Sequence, residues 1–245
     1  MPFVLLSSCG NDAAEYCNGA TESAVTEAIL NRLAEYLLAS GLQTALRLPQ
    51  VPSHAVASVA NRENAALLLL LGSSAAPPEQ AGQQRGADIC FHPAAKRSRA
   101  LAERLLGSLA CVAPSPDAVR LLPSPQLPDF RMARCPAVQL RLGYRDHPED
   151  AVWMLQSTGG IAHALAKAVT QWFGVPCVSP FAGRSAVVRT PNGSLALRRA
   201  PHKEAEMLQT IPNGAELTLL HREGEWQYAE HEDCCGYVLR KYLQI

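Results

Sequence analysis

The sequence predicts an open α/β sheet with helices on both faces, followed by a small all-β barrel at the C-terminus. Three observations carry that prediction. Short apolar runs alternate with stretches of helical periodicity over roughly the first 170 residues, the order that builds a sheet covered on both sides. The run LLLLL at 67–71 has no polar member, as expected of a strand buried on both faces. From about residue 185 the pattern changes to short strands separated by turn residues.

Taken in order, residues 3–7 form a short apolar strand. Residues 22–39 place Val25, Ala28, Ile29, Leu33, Tyr36 and Leu37 on one helix face, and Gly41 lies just beyond the helix end. LQTALRL (42–48) reads as a second strand and SHAVASVANREN (53–64) as a second helix. Leu67–Leu71 is the third strand, closed by the loop AAPPEQAGQQRG. ADICFH is the fourth strand, and AAKRSRALAERLLGSLA is a helix whose Lys96, Arg97 and Arg99 read as a solvated face. A strand at Ala137–Leu142 and one helix at 149–173 complete this part. GVPCVSPFAGR (174–184) reads as connecting chain. The expected division is 1–178, a linker at 179–186, and 187–245.

Composition narrows the function classes. A chain of 245 residues suits one medium domain and one small one. With 48% hydrophobic and 18% charged residues it holds enough apolar surface for a core. The formal net charge is zero, which supplies no basic field for nucleic acid. The leucine run is far shorter than the ~20 residues a membrane span requires. The start MPFVLLSSCG has no basic region, so no secretory signal is read there. Eight cysteines lack zinc-finger or paired disulfide spacing. They read as packing residues of a protein that is cytoplasmic or released without a signal peptide.

The stretch CPAVQLRLGYRDHPEDAVW (135–153) resembles the signature near the end of zinc-dependent N-acetylmuramoyl-L-alanine amidases. Their strand reads Pro-Ala-apolar-x-x-Glu-apolar-Gly-aromatic, and its glutamate assists the attacking water. Arg141 stands at that position, and a guanidinium does not accept a proton from water near neutral pH. The resemblance extends to the N-terminus. There VLLSSCGNDAAEYCNGATESAVTEAILNRLAEYLLASG is similar to the family's first strand, loop and helix. Such enzymes hold zinc through two histidines and a glutamate. By this alignment Glu22 keeps the glutamate, Ser8 and Gly72 stand where the histidines belong, and Ser74 matches a following asparagine. Glu22 is thus the one matching ligand position, whereas a catalytic zinc needs about three protein ligands and an open position for water. His54, His92, His147 and His163 are scattered without paired spacing. A set rebuilt from Cys9, Cys17 and Glu22 is the alternative, with zinc as its cofactor. Against it stands a plain reading of Glu22 as an acidic residue in a helix's first turn.

The segment from Leu195 to the end resembles a bacterial SH3-like domain. The matching features are Leu-x-Leu-Arg at 195–198, Pro-Asn-Gly at 212–214, Glu-Trp at 225–226, Gly-Tyr-Val at 236–238 and Lys-Tyr-Leu at 241–243. Asn213 and Gly214 supply a turn, while Trp226 and Tyr237 supply large buried area. Arg198, Tyr228 and Tyr242 are the candidates for an exposed ligand surface.

The resemblances imply a bacterial, catalytically inactive amidase-like protein without cofactor, binding a peptidoglycan fragment, a stem peptide or a cell-wall protein. The expected ligand-binding residues are Arg141, Glu22, Ser74, Arg198, Tyr228 and Tyr242. Arg141 is expected either to grip a ligand carboxylate or to pair with Glu22. The alternative is an active amidase hydrolysing peptidoglycan at a rebuilt metal site.

Overall fold

The computed structural model describes residues 1–9, 14–47, 53–180 and 184–245. Position 48 of the expected second strand and positions 181–183 of the expected linker lie outside them. The first half runs β1 (Phe3–Ser8), α1 (Glu22–Ala39), β2 (Gln43–Arg47), α2 (Ser53–Arg62), β3 (Leu67–Ser74) and β4 (Asp88–Phe91). It continues with α3 (Lys96–Ala110), β5 (Arg120–Pro123), α4 (Pro128–Met132), β6 (Ala137–Tyr144), α5 (Pro148–Gln156) and α6 (Thr158–Phe173).

The six strands form one sheet in the order β2-β1-β3-β6-β4-β5. All neighbours run parallel except β4 and β6, which are antiparallel. Side chains alternate across a strand, and the two cores show it. Val4, Leu6, Leu67, Leu69, Leu71, Val138, Leu140 and Leu142 pack with α1, α3 and α6. Leu5, Leu68, Leu70, Cys90 and Ala137 face the other way, toward α2 and α4. The leucine run is buried throughout because each face is covered.

Two elements were not legible beforehand. β5 has four residues, mostly exposed at a sheet edge, and α4 is five residues opening on Pro128. Such pieces are too short to show a period. The single helix expected at 149–173 is two, α5 and α6, separated at Ser157. The break lies just before Gly159 and Gly160, where the second half of the molecule comes close. A Cβ at Gly159 would overlap the His221 ring, and one at Gly160 would lie 2.7 Å from the Tyr237 hydroxyl.

That second half is all-β and antiparallel: β7 (Ser185–Val188), β8 (Ser194–Arg198), β9 (Met207–Pro212), β10 (Glu216–Glu223), β11 (Trp226–His231), β12 (Cys234–Leu239) and β13 (Leu243–Gln244). Their order is β13-β7-β10-β11-β12-β8-β9. Val188, Leu197, Ile211, Leu217, Ala229 and Val238 form its core. Gly214 takes φ +88° after β9, as the Pro-Asn-Gly turn requires.

Candidate functional site

The parallel strands β1, β3 and β6 end together at one edge of the first sheet, where parallel α/β sheets place their ligand crevices. The register sets Ser7 and Ser8 beside Leu70 and Leu71, and Gly72 beside Arg141. An irregularity between Gly72 and Ser74 then brings Ser74 beside Tyr144. Ser74 is half-buried, and its carbonyl accepts from the backbone N–H of Arg145 at 2.9 Å.

Glu22 opens α1 at this edge. Thr21 caps the helix by accepting from the Ala24 amide at 3.3 Å, and Glu22 sits in the first turn, where the helix dipole favours a carboxylate. It is 1% exposed. Its Oε1 accepts from the Ser73 amide at 2.7 Å and from the Ser73 hydroxyl at 2.6 Å. The Arg145 guanidinium lies 3.9 Å from its Oε2. Arg145 also holds the loop before α1, since its carbonyl accepts from the Cys17 amide at 2.9 Å. Tyr16, in that loop, bonds to the Met154 sulfur at 3.6 Å, and burial pushes its phenol up to about 12.

The cation beside Glu22 is therefore Arg145, and the expected pairing of Glu22 with Arg141 is corrected. The reason is the side-chain alternation of β6. Arg141 follows Ala137 and Gln139 onto the α2 side of the sheet, whereas Arg145 lies beyond the strand's end, where that constraint lapses. Among the described residues the Arg141 side chain has no hydrogen bond or ion pair. Its charge acts on Cys9 and Cys90, drawing both thiols downward in pKa, against a larger upward push from burial. Cys9, which accepts from Gln139 Nε2 at 3.1 Å, ends at about 12.

Zinc is the metal that the amidase resemblance implies, and the described residues do not fit it. Glu22 has one oxygen in two hydrogen bonds and the other facing a cation. Ser8 and Gly72 bring no imidazole. Cys9 is engaged by the Gln139 side-chain amide, which donates to its sulfur at 3.1 Å. No group of three His, Cys, Asp or Glu side chains among the described residues has metal-ligand geometry. Among the described residues, the histidines singled out in the sequence lie elsewhere. His92 follows β4, which runs against β6 and ends at the opposite sheet edge. His147 lies 3.9 Å from Asp150. His163 lies between Tyr36, tilted at 49°, and Tyr228, edge-on at 67°, at centroid distances of 5.3 and 5.9 Å. The His54 side chain is outside those described.

The residues expected on the C-terminal ligand surface separate. Tyr228 is 1% exposed, so its expected exposure is corrected: it packs with Tyr237, at 4.8 Å between centroids, against α6. Arg198 donates to the Ala205 carbonyl at 2.7 Å, holding its own loop. Tyr242 packs on the sheet's core and carries the Lys241 ammonium 4.8 Å above its ring. Trp226 packs beside Tyr228 and Tyr237, as its core reading expects. On α3, Arg99 pairs with Glu103 at 3.0 Å and Arg97 lies 5.9 Å over the Trp172 ring, consistent with a solvated face.

Sequence reasoning missed the seam between the two sheets. Glu223, at the end of β10, accepts from the Gly159 amide at 2.7 Å and the Thr158 hydroxyl at 3.1 Å, at the start of α6. Burial pushes its carboxyl upward in pKa. Arg32 of α1 lies 2.7 Å from His221 Nδ1. The signal that was available was the Gly159-Gly160 pair inside an apparent helix.

No family model and no curated protein sequence matches the chain. Solved structures do match in fold. N-acetylmuramyl-L-alanine amidase Ami1 from Mycobacterium smegmatis is similar at TM-score 0.61 and 18% identity, covering 71% of this chain and 97% of that one. The catalytic domain of CwlV from Bacillus (Paenibacillus) polymyxa var. colistinus is similar at 0.63 and 16%, covering 72% and 100%. CwlD from Clostridioides difficile, solved in complex with the GerS lipoprotein, is similar at 0.60 and 14%, covering 71% and 98%. The first part of the chain has an amidase-like fold.

Proposed function

We propose that this chain is a bacterial amidase-like protein without hydrolytic activity, whose sheet edge binds a cell-wall peptide or a protein partner. The observation that carries this reading is the Glu22 carboxylate, bonded twice to Ser73 and faced by Arg145. A carboxylate so engaged contributes to its own fold. Arg141, half-buried on the neighbouring strand and unpaired among the described residues, supplies the local positive charge. A guanidinium grips a carboxylate in two parallel hydrogen bonds, and stem peptides of peptidoglycan end in carboxylates. Ser74 lies one strand away as a polar neighbour.

The C-terminal sheet is read as an SH3-like domain spanning 187–245, joined through 179–186 to an amidase-like domain at 1–178. A protein partner is supported by CwlD, whose structure was solved with the GerS lipoprotein. No helix among the described residues is long and apolar enough to cross a membrane. The proposed location is cytoplasmic, or outside the cell by a route without a signal peptide.

The test joins metal content to binding. Protein purified without chelator is expected to carry no stoichiometric zinc and to release no fragments from peptidoglycan. Arg141→Glu is expected to leave it inactive, since a general base needs an activated water to act on. In calorimetric titration a muramyl peptide is expected to bind the wild type at least about tenfold more tightly than Arg141→Ala. About one zinc per chain, with chelator-sensitive hydrolysis, would overturn the reading.

A further inference from the structure

Two contiguous cavities of about 660 and 440 Å³ lie on the C-terminal sheet, sharing Arg222, Arg240 and Ile245 in their walls. Arg184 lines the smaller and Lys241 the larger. Against these four cations, Glu225 is the acidic side chain among the described lining residues. None of the four cations forms an ion pair among the described residues. Arg222 donates to the Gly224 carbonyl at 3.1 Å, and Lys241 rests on the Tyr242 ring. The chain as a whole has zero formal charge, so this is a local concentration of cations. Elsewhere on the surface arginines do find carboxylates: Arg85 with Glu149, Arg99 with Glu103, Arg120 with Asp88 and Arg199 with Glu206.

We propose that this double groove is a binding site for an acidic peptide segment of a partner protein, independent of the reading of the Arg141 edge. Three of the four cations are arginines, whose planar forks suit carboxylates. The groove also has apolar walls, with Leu219, Leu239 and Leu243 between the charges. A bare polyphosphate leaves that apolar surface unused, whereas a peptide alternating acidic and apolar side chains covers both. Such chains gain on-rate and register from the charges and affinity from the buried apolar area. Together the cavities accommodate an extended stretch of several residues, each taking ~3.3 Å of length.

The probe is a fluorescein-labelled octapeptide alternating glutamate and leucine, read by fluorescence anisotropy on the full chain. Binding is expected at about 0.05 M salt and a marked weakening at about 0.5 M, where the screening length shortens severalfold. The double variant Arg222→Ala/Arg240→Ala is expected to lose at least about tenfold in affinity. Arg222→Lys/Arg240→Lys keeps the charges without the forks and is expected to lose an intermediate amount. Arg97→Ala/Arg99→Ala, on α3, is expected to bind as wild type. The proposal is overturned if the alanine double variant binds like wild type or if the wild type does not bind at low salt. It is equally overturned if polyphosphate outcompetes the peptide at equal charge concentration. Unchanged thermal unfolding of the lysine variant guards against reading misfolding as lost binding.

Discussion

Two glutamates, one buried and one half-buried, lie beside helix starts in this molecule, and they do different work. Glu22 is held by groups of its own sheet, the amide and hydroxyl of Ser73 and the guanidinium of Arg145. Glu223 reaches out of the C-terminal sheet to the first turn of α6, where it takes the Gly159 amide and the Thr158 hydroxyl. The first carboxylate closes the edge where β1, β3 and β6 end together. The second fastens one half of the molecule to the other. A glutamate near a helix N-terminus is favoured by the same dipole in both cases. What it accomplishes depends on which element supplies the remaining donors.

Acid is expected to break the comparison most strongly, because it acts on the seam at two histidines. Burial is the main cause lowering both His163 and His221 to about 4, with Lys167 and Arg32 adding to it respectively. Both are neutral when folded, whereas in the unfolded chain they protonate near 6.5. Between those values the unfolded state binds more protons, so these groups' stabilisation is present above pH 6.5 and is lost as pH falls toward 4. Glu223, raised by burial, acts in the opposite sense and offsets part of the loss. Unfolding midpoints measured from pH 7 to 4.5 are expected to fall, and His163→Phe, which keeps a ring between the tyrosines, is expected to flatten the slope. An unchanged slope in that variant would remove His163 from the account.

Tyr228→Ala is expected to have the next largest effect. It empties a fully buried ring position between His163 and Tyr237, a loss of about 3–5 kcal/mol for a large aromatic. Urea unfolding measures the loss. Limited proteolysis near residues 179–186 is expected to accelerate, because the ring holds the seam.

The sharpest version compares the two carboxylates directly. Glu22→Ala leaves the Ser73 donors and the Arg145 charge without their acceptor, at a cost of about 2–3 kcal/mol. Glu223→Gln keeps the shape and one acceptor oxygen, and is expected to cost about 1 kcal/mol. Among the described residues the two sets of partners share no member, so the double variant is expected to equal the sum within about 0.5 kcal/mol. Strong non-additivity in denaturant titrations would show that edge and seam are one coupled unit.

Much of this was legible in the chain. The strand-helix alternation, the doubly covered leucine run and the change of pattern near residue 185 all emerge from local period and turn chemistry. The short β5 and α4 had no period to show. The division between α5 and α6 was masked by the apolar helical periodicity that continues on both sides of Ser157, and the Gly159-Gly160 pair was the local sign of it. Tyr228 was misplaced because an alternating strand tells which residues share a face and not what covers that face.

The sequence by itself determined the layers and the burial of the leucine run on both faces, because each follows from side-chain type and a period of 2.0 or 3.6 residues. Only the tertiary structure decided that Arg145, and not Arg141, stands beside Glu22. It alone decided that Tyr228, Tyr237 and Glu223 belong to a seam and that four cations border one groove. Those outcomes depend on where strands end, how the Gly72–Ser74 irregularity shifts the register, and how closely two glycines let a second sheet approach. Contacts between distant segments are set by packing geometry, which no local pattern encodes.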